Sequence, residues 1–267
     1  MSRKVIRSPR LARKEQKRKT RKTIALLLLA CAVFLGVLYG FSRKEFRITS
    51  VDVSGVVRVP EGRVRGVVEA QLAGTYFGLI PKSHSLLYPK SALKETLTRE
   101  FPTFSSVSVS LNNLASLRVS VREREPFVLW CPTAQPCFLL DETGFVFAEA
   151  EPGTENLYYR MEKEATTTPL GTVVLPREKL TALMFFLGRL EKLGLTPEKV
   201  RFLDGQELHV FLHGGMRLLL NENEFERSLT NIETLLSEKN LFPKQGGLLT
   251  VEYIDLRYGN KVYFKSR

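Results

Sequence analysis

The side chains that could take part in chemistry are few in this 267-residue chain, and their spacing argues against a metal site. His209 and His213 lie four residues apart, the spacing of two ligands on one face of a helix. The surrounding residues alternate like a strand, however, and in a strand four residues place two side chains about 13 Å apart. The adjacent acids Asp141 and Glu142 occupy a predicted turn, where exposure to solvent explains them. The sequence therefore predicts neither a metal nor a cofactor.

Motifs of nucleophilic or phosphate chemistry are equally hard to find. The chain contains no Gly-x-Ser-x-Gly elbow, no His-Glu-x-x-His and no glycine-rich phosphate loop. Cys131 and Cys137 stand six residues apart, and they form either a small disulfide loop in an oxidising compartment or two partly buried thiols. Pro132 directly follows Cys131 and disfavours an activated thiolate there. We predict that the chain is not an enzyme.

The longest apolar run, residues 24–41, predicts a transmembrane helix over residues 23–42. Its 18 residues contain no charge and would span about 27 Å as a helix, close to the roughly 30 Å hydrocarbon core of a bilayer. Residues 1–22 contain eleven Lys or Arg and one acid, Glu15, which predicts a basic cytoplasmic tail. We therefore expect a single-pass, type II protein of the cytoplasmic (inner) membrane, with the C-terminal domains outside.

Two alternatives exist for the apolar run, and one for the basic tail. A cleaved signal peptide needs a small-x-small site after the run, and residues 41–44 offer none. Lipid attachment at Cys31 needs the cysteine to end the run, which instead continues for ten residues. The tail supplies most of the formal net charge of +12 but has no aromatic residue to stack on bases. It therefore predicts contact with anionic lipid rather than specific binding to nucleic acid.

Residues 46–124 are patterned as strand, helix, helix, strand, strand. A short alternating strand around Val51 precedes one helix that starts after Pro60 and a second that starts near Pro89. Two strands follow, in which apolar residues alternate with Ser or Arg. A three-stranded sheet with one apolar face must bury that face against the two helices, so the pattern predicts an α+β domain.

Residues 125–265 predict a second, mixed β domain of antiparallel strands with helices. A turn at 141–144 joins two apolar strands, and leucines at helical spacing mark a helix over 180–190. The polar stretch 149–169 is weakly patterned and is predicted to be a surface loop. Gly259-Asn260 separates two alternating runs at the carboxyl end, which is the pattern of a tight hairpin.

The chain resembles the bacterial cell-division family FtsQ/DivIB in three stretches. These are EREP at 123–126, FLLDETGFVF at 138–147 and IDLRYGNKVYFK at 254–265. The resemblance implies a POTRA domain at 46–124 and an FtsQ/DivIB-type β domain at 125–265. It also implies a non-enzymatic membrane scaffold at the division septum that links early and late division proteins. Such a scaffold recruits FtsB/DivIC-like and FtsL-like partners through a C-terminal β edge and contacts other division proteins through its POTRA domain.

The same resemblance places the partner-binding edge at the last hairpin. The residues that it implies are Arg257, Tyr258, Lys261, Val262, Tyr263 and Phe264. An unpaired last strand offers its backbone N–H and C=O groups to a partner strand, and aromatic and Arg side chains are the usual anchors of an interface. The alternative is that Tyr258 and Phe264 pack inward while Arg257 pairs with Asp255 or Glu252 on the surface.

Two further functions remain open from the sequence. One is a POTRA-bearing envelope adaptor for polypeptide export, in which the same domain captures extended chains. The other is a membrane-anchored cell-wall enzyme whose site no motif reveals. Co-purification of a short coiled-coil membrane protein would favour the division scaffold, whereas hydrolysis of peptidoglycan by the chain would favour the enzyme.

Overall fold

The computed structural model describes six stretches of the chain and shows an α+β architecture. The described residues contain five α-helices and fourteen strands. The chain divides into two compact units, Met1–Leu97 with Val107–Val121 and Thr98–Ser106 with Arg122–Arg267. The described stretches are residues 9–41, 44–133, 136–154, 157–164, 168–237 and 251–267.

The first helix, α1 (Pro9–Phe41), corrects the prediction of a membrane span. It is 33 residues long and joins the basic tail and the apolar run in one element. Across the stretches that the structure describes, none of the helices has both the length and the apolar character that crossing a bilayer requires. The apolar run is thus not a separate element, because it continues a helix whose first half carries most of the basic residues. The predicted transmembrane helix at 23–42 and the predicted single-pass, inner-membrane localisation are therefore wrong. Residues 1–8 and 42–43 of these segments lie outside the described residues.

The first unit is built around a three-stranded sheet and two helices. The sheet has the strand order β1-β5-β4, with β1 parallel to β5, and a two-stranded ribbon, β2–β3, lies between the helices in sequence. α2 begins directly after Pro60, whose fixed φ suits the start of a helix. The elements are a 3₁₀ turn (Lys44–Phe46), β1 (Ser50–Ser54), α2 (Glu61–Leu72), β2 (Thr75–Tyr76), β3 (Ile80–Pro81), α3 (Lys90–Glu100), β4 (Phe104–Asn113) and β5 (Ser116–Glu123).

Apolar side chains on one stripe of each helix and on alternate strand positions make the core of this unit. The 3.6-residue period of the helices and the two-residue period of the strands decide which positions are buried. These buried side chains are Val64, Val68 and Leu72 on α2, Leu93 and Leu97 on α3, Val51 on β1, and Leu117 and Val119 on β5.

The second unit contains one nine-stranded sheet with two helices. Its strand order is β14-β13-β12-β11-β10-β9-β6-β7-β8, so β14 and β8 are the two outer strands. The elements are β6 (Val128–Pro132), β7 (Phe138–Leu140), β8 (Val146–Glu149), β9 (Arg160–Lys163), α4 (Arg177–Lys192), β10 (Pro197–Phe202), β11 (Glu207–Leu212), β12 (Arg217–Asn221), α5 (Phe225–Ser237), β13 (Val251–Tyr258) and β14 (Lys261–Ser266).

Three strand pairs of this sheet are parallel, where the sequence predicted antiparallel strands. They are β6–β9, β9–β10 and β12–β13, and the remaining pairs are antiparallel. α4 connects β9 to β10 and α5 lies between β12 and β13, because parallel neighbours need a crossover connection that returns the chain to the same end of the sheet.

The predicted surface loop at 149–169 contains a strand. β9 lies between β6 and β10 and pairs with both, and Met161 in it is fully buried. Glu162 is held by ion pairs with Arg160, Lys199 and Arg201, so a mostly polar segment is stabilised inside the sheet by cross-strand charges. Residues 155–156 and 165–167 of the predicted loop lie outside the described residues.

Burial in the second unit alternates along the strands, and apolar positions form one core with the helices. On β11, Leu208 and Val210 are buried, whereas His209 and Phe211 between and beyond them are partly exposed. α4 contributes the largest helical share of the core, with Leu180, Leu183, Phe186, Leu187 and Leu190 buried. Cys131 and Cys137 form a disulfide between β6 and the start of β7.

Candidate partner-binding edge

The last strand, β14, is one outer strand of the nine-stranded sheet. It pairs with β13 on one side, and none of the other strands in the described stretches pairs with its second side. Alternate backbone N–H and C=O groups of an outer strand point away from the sheet and can pair with another chain. The edge is therefore available for strand addition as far as the described residues extend.

A tight turn and a bulge set the side-chain directions on this edge. Gly259 begins the two-residue turn with a φ of 67°, a conformation that glycine adopts without steric cost. Asp255 lies opposite Tyr263 and Tyr258 lies opposite Lys261, and the register shifts between these two pairs. The bulge brings Tyr258 onto the same face as Tyr263, where the two rings meet edge to face with centroids 5.6 Å apart.

Four of the six predicted residues are exposed on this hairpin. Tyr258 is 57% exposed, Tyr263 52% and Phe264 43%, and Lys261 is also exposed. The alternative in which Tyr258 and Phe264 pack inward is therefore wrong. Val262 is the fifth residue, and it is partly buried against the core of the second unit, so it is poorly placed to contact a partner.

Arg257, the sixth predicted residue, is engaged within the chain. Its Nε and Nη2 donate to the two carboxylate oxygens of Asp255 at 2.9 and 2.7 Å, and its Nη1 donates to Oε2 of Glu207 at 2.6 Å. The backbone N–H of Arg257 also donates to Asp255 at 3.2 Å, across the bulge. Arg257 therefore supports the shape of the hairpin rather than reaching outward; the sequence suggested Asp255 as a partner but gave no sign of Glu207.

The electrostatics of this cluster favour the charged forms of both groups. Hydrogen bonds to Asp255 raise the pKa of Arg257 above its ordinary value, with a further contribution from Glu207. Burial alone would raise the pKa of Asp255, but the hydrogen bonds and the charge of Arg257 outweigh burial and lower it. The pair is thus a permanent ion pair at neutral pH.

Lysines flank the aromatic pair along the edge. Lys261 and Lys265 lie two residues to either side of Tyr263, on the same face of the strand. Lys265 forms an ion pair with Glu252 at 2.7 Å, and Glu252 also accepts from Arg217 at 3.0 Å. A strand that added to β14 would therefore meet an aromatic pair between two cations.

His209 and His213 do not come together with Asp141 and Glu142 as a metal site. His209 lies in β11 and His213 in the turn that follows, where its Nδ1 is 2.8 Å from Glu198. Burial lowers the pKa of His209, and the charges of Arg217 and Arg257 add to that effect. The stretches that the structure describes contain no cluster of three or more His, Cys, Asp or Glu residues suited to a metal ion.

One catalytic motif does occur in the chain, a Ser-x-x-Lys at Ser91–Lys94. Both residues lie on exposed positions of α3. The Lys-Thr-Gly motif that accompanies Ser-x-x-Lys in penicillin-binding enzymes is absent from the sequence. Helical spacing on a surface explains this match without catalysis.

Two of the stretches that carried the family resemblance meet in the structure. The guanidinium of Arg124 donates to the carboxylate of Asp141 and lies 4.1 Å from the ring centre of Phe145. Asp141 also accepts from the backbone N–H of Thr143 at 2.8 Å and of Phe145 at 3.1 Å, which closes the turn between β7 and β8. These residues therefore have a structural role at the far end of the sheet from β14.

Comparisons with known proteins identified no relative of this chain. No model of a known protein family matches the chain, and no curated protein matches it.

Proposed function

We propose that this chain is a non-enzymatic scaffold of bacterial cell division, comparable to FtsQ/DivIB proteins. Its β14 edge recruits FtsB/DivIC-like and FtsL-like partners, and through them it links early and late division proteins at septation. The first unit, with its strand-helix-helix-strand-strand order, serves as a POTRA-type domain for contacts with other division proteins. The observation that carries the proposal is an outer strand with exposed aromatic side chains that no other described strand covers.

Strand addition is the binding mode that this edge favours. Main-chain hydrogen bonds to β14 supply affinity, and side chains on alternate positions supply specificity. Tyr258 and Tyr263 already contact each other, so little side-chain entropy is lost when they become buried at an interface. Aromatic residues in such positions commonly carry much of the binding energy of an interface.

The charges on β14 favour a different protein over a second copy of this chain. Antiparallel pairing of two β14 strands centred on Tyr263 would place Lys261 of each copy opposite Lys265 of the other. Like charges directly opposite each other destabilise a strand pair, so self-association through this edge is disfavoured. A partner strand with acidic or neutral residues at those positions has no such penalty.

The test is binding of the full-length chain to the FtsB/DivIC-like and FtsL-like proteins of the same organism, expressed together. We expect Tyr263→Glu to weaken that binding by at least about tenfold, because it replaces a central aromatic anchor with a charge. Its unfolding temperature should be close to that of the wild type, since Tyr263 is half exposed. Binding is measured by biolayer interferometry and folding by circular dichroism.

Leu114→Glu is the matched control. Leu114 is 49% exposed in the first unit, so the same type of change there should affect neither binding nor folding. If the wild type binds the pair and Tyr263→Glu binds equally well, the edge is not the site. If the wild type binds neither protein, the proposed function is wrong.

A further inference from the structure

The helices of the second unit enclose an apolar groove that strand addition at β14 does not use. The groove has a volume of about 500 Å³ and lies between the first half of α4 and the start of α5. Its floor is made of Ala182, Phe185, Phe186, Phe225 and Leu229. Phe185 is 64% exposed, although it lies in the middle of a regular helix. A large aromatic side chain held in water next to an apolar groove is typical of a docking surface.

The rim of the groove is acidic once existing ion pairs are taken into account. Arg177 pairs with Glu142 at 2.9 Å, Lys179 pairs with Glu222 at 2.5 Å, and Arg227 pairs with Glu224. These pairs leave the carboxylates of Glu178 and Glu226 at the rim, without an ion-pair partner in the described part of the chain. Each also lies in the first turn of its helix, where a negative charge stabilises the helix.

We propose that this groove docks a basic amphipathic helix of a partner protein. The walls are helical side chains, and beyond the first turn of each helix the backbone groups behind them are paired within the helix, so an extended strand would find few main-chain partners there. A helix satisfies its own backbone and can insert apolar side chains at i, i+3, i+4 and i+7 over Phe185 and Leu229. Lys or Arg on its flanks then reaches Glu178 and Glu226.

Other ligand classes fit this groove less well. Anionic lipid headgroups and nucleic acid would both be repelled by the two free carboxylates at the rim. The basic first half of α1 offers Leu11 as its only large apolar side chain over residues 10–22, so a second copy cannot supply an apolar helix face from that segment. The charge of the rim and the apolar floor together require an occupant that is both basic and amphipathic.

The probe is a fluorescein-labelled helical peptide of about five turns, with Leu at i, i+3, i+4 and i+7 and Lys on both flanks. Its fluorescence anisotropy is followed as the full-length protein is added at low salt and at high salt. The control peptide has Glu in place of every Lys. We expect saturable binding of the basic peptide at low salt, weaker binding at high salt, and no measurable binding of the acidic peptide.

Two variants test the floor and the rim separately. Phe185→Ser should weaken binding of the basic peptide by about tenfold or more, because it removes the exposed anchor. The double variant Glu178→Gln/Glu226→Gln should weaken it by about three- to tenfold at low salt and very little at high salt. Leu170→Ser changes another exposed apolar residue outside the groove and should have no effect, as should Tyr263→Glu at the sheet edge.

The proposal is overturned by any of three results. These are absence of saturable binding by the basic peptide, equal binding of the acidic peptide, and equal binding by wild type and Phe185→Ser. Sedimentation velocity addresses a second copy as occupant. A wild-type dimer that Phe185→Ser converts to a monomer would show that the groove joins two copies, and it would also overturn the proposal.

Discussion

The two outer strands of the nine-stranded sheet, β8 and β14, differ in whether other residues pair with their outer sides. β8 is four residues long, and the chain itself pairs with the start of its outer side: the C=O of Thr172 accepts from the N–H of Val146 at 2.9 Å, and the N–H of Gly171 donates to the C=O of Val146 at 2.8 Å. A bridge between Phe145 and Val173 continues that pairing. β14 is six residues long, carries the exposed Tyr263 and Phe264, and has no strand of the described residues on its outer side. Among the described residues, the chain therefore pairs with the start of one outer strand and leaves the other outer strand uncovered.

This difference limits the functions that the open β14 edge can have. Lysines on an outer strand are a common protection against aggregation, and Lys261 and Lys265 fit that role. Protection does not require an aromatic pair, however, and exposed tyrosines on an unpaired edge increase the risk of unwanted pairing. The combination of lysines with tyrosines is better explained by an edge that rejects its own copy and accepts a different strand.

The largest expected effect comes from breaking the closed edge with Gly144→Ala. Gly144 has a φ of 76°, and a Cβ added there would lie 1.7 Å from the carbonyl oxygen of Leu175. We expect a loss of on the order of 3 kcal/mol in the free energy of unfolding, measured by urea denaturation. Gly153→Ala is the control: its φ is 92° but an added Cβ meets nothing within 4 Å, so about 1 kcal/mol is expected. Equal losses in the two variants would contradict the steric argument.

The next largest effect is expected at the open edge from Arg257→Ala. The change leaves the buried carboxylate of Asp255 without its main partner, which we expect to cost about 2 kcal/mol in unfolding free energy. Tyr258 should also lose its fixed position, so partner affinity should fall with stability. Arg217→Ala removes a more exposed ion pair and should cost less than about 1 kcal/mol. If Asp255→Asn/Arg257→Gln is as unstable as the sum of its single variants, the pair does not act as a unit.

Acid pH should destabilise both ends of the sheet, because one carboxylate stabilises each end: Asp141 at one and Asp255 at the other. Burial would raise the pKa of Asp141, but the hydrogen bonds from Thr143, Arg124 and the backbone lower it, as Arg257 does for Asp255. A carboxyl group whose pKa is lower in the folded protein stabilises the fold above its unfolded pKa, and this stabilisation is lost as the pH falls through the folded pKa. The unfolding temperature should therefore decrease as the pH is lowered below about 4.

Asp141→Asn and Asp255→Asn should each make that drop shallower than in the wild type. Both variants are also expected to be less stable at neutral pH, because each removes an ion-pair partner. Asp204→Asn, at an exposed turn, is the control. An unchanged acid profile in both core variants would show that neither carboxylate is responsible.

The smallest expected effect is that of Lys261→Glu on self-association through the β14 edge. Lys261→Glu would place Glu opposite Lys265 of a second copy at two positions, in place of two repulsive pairs. We expect self-association to strengthen about fivefold, from roughly 0.5 kcal/mol at each pair. Sedimentation equilibrium measures it, with Lys163→Glu on β9 as the control. Unchanged self-association would mean that these lysines do not select against a second copy.

Local patterns predicted the parts of the fold that local chemistry decides. α2 begins after Pro60, the buried leucines of α4 follow the 3.6-residue period, and the last hairpin turns at Gly259-Asn260. In each case the signal lies within a few neighbouring residues, such as a proline at a helix start or a glycine at a turn.

The same local patterns did not predict which strands pair over long sequence distances. β9 is mostly polar, and it belongs to the sheet because it pairs with β6 and β10 and because Lys199 and Arg201 of β10 form ion pairs with its Glu162. Two of the three parallel pairs, β9–β10 and β12–β13, depend on crossovers through α4 and α5 rather than on any strand's own residues. The separate membrane helix was wrong: the apolar run and the basic residues belong to one 33-residue helix, and none of the helices in the described stretches is long and apolar enough to cross a bilayer.

The sequence predicted where the candidate site lies but not how its side chains are arranged. The exposed positions of Tyr258 and Tyr263 follow from alternation combined with a bulge, and no residue pattern announced the bulge. Glu207 reaches Arg257 from 50 positions away in the sequence, so its contribution to the hairpin could not be inferred from neighbouring residues.

Amide hydrogen exchange of both outer strands, with and without the FtsB/DivIC-like and FtsL-like pair, tests the central claim most directly. The account predicts that outward-facing amides within Lys261–Ser266 gain protection when the pair binds, because they become hydrogen-bonded to an added strand. Amides of Val146–Glu149, in the outer strand at the other end of the sheet, should exchange at the same rate in both samples. A complex that forms while exchange at Lys261–Ser266 stays unchanged would contradict recruitment through this edge.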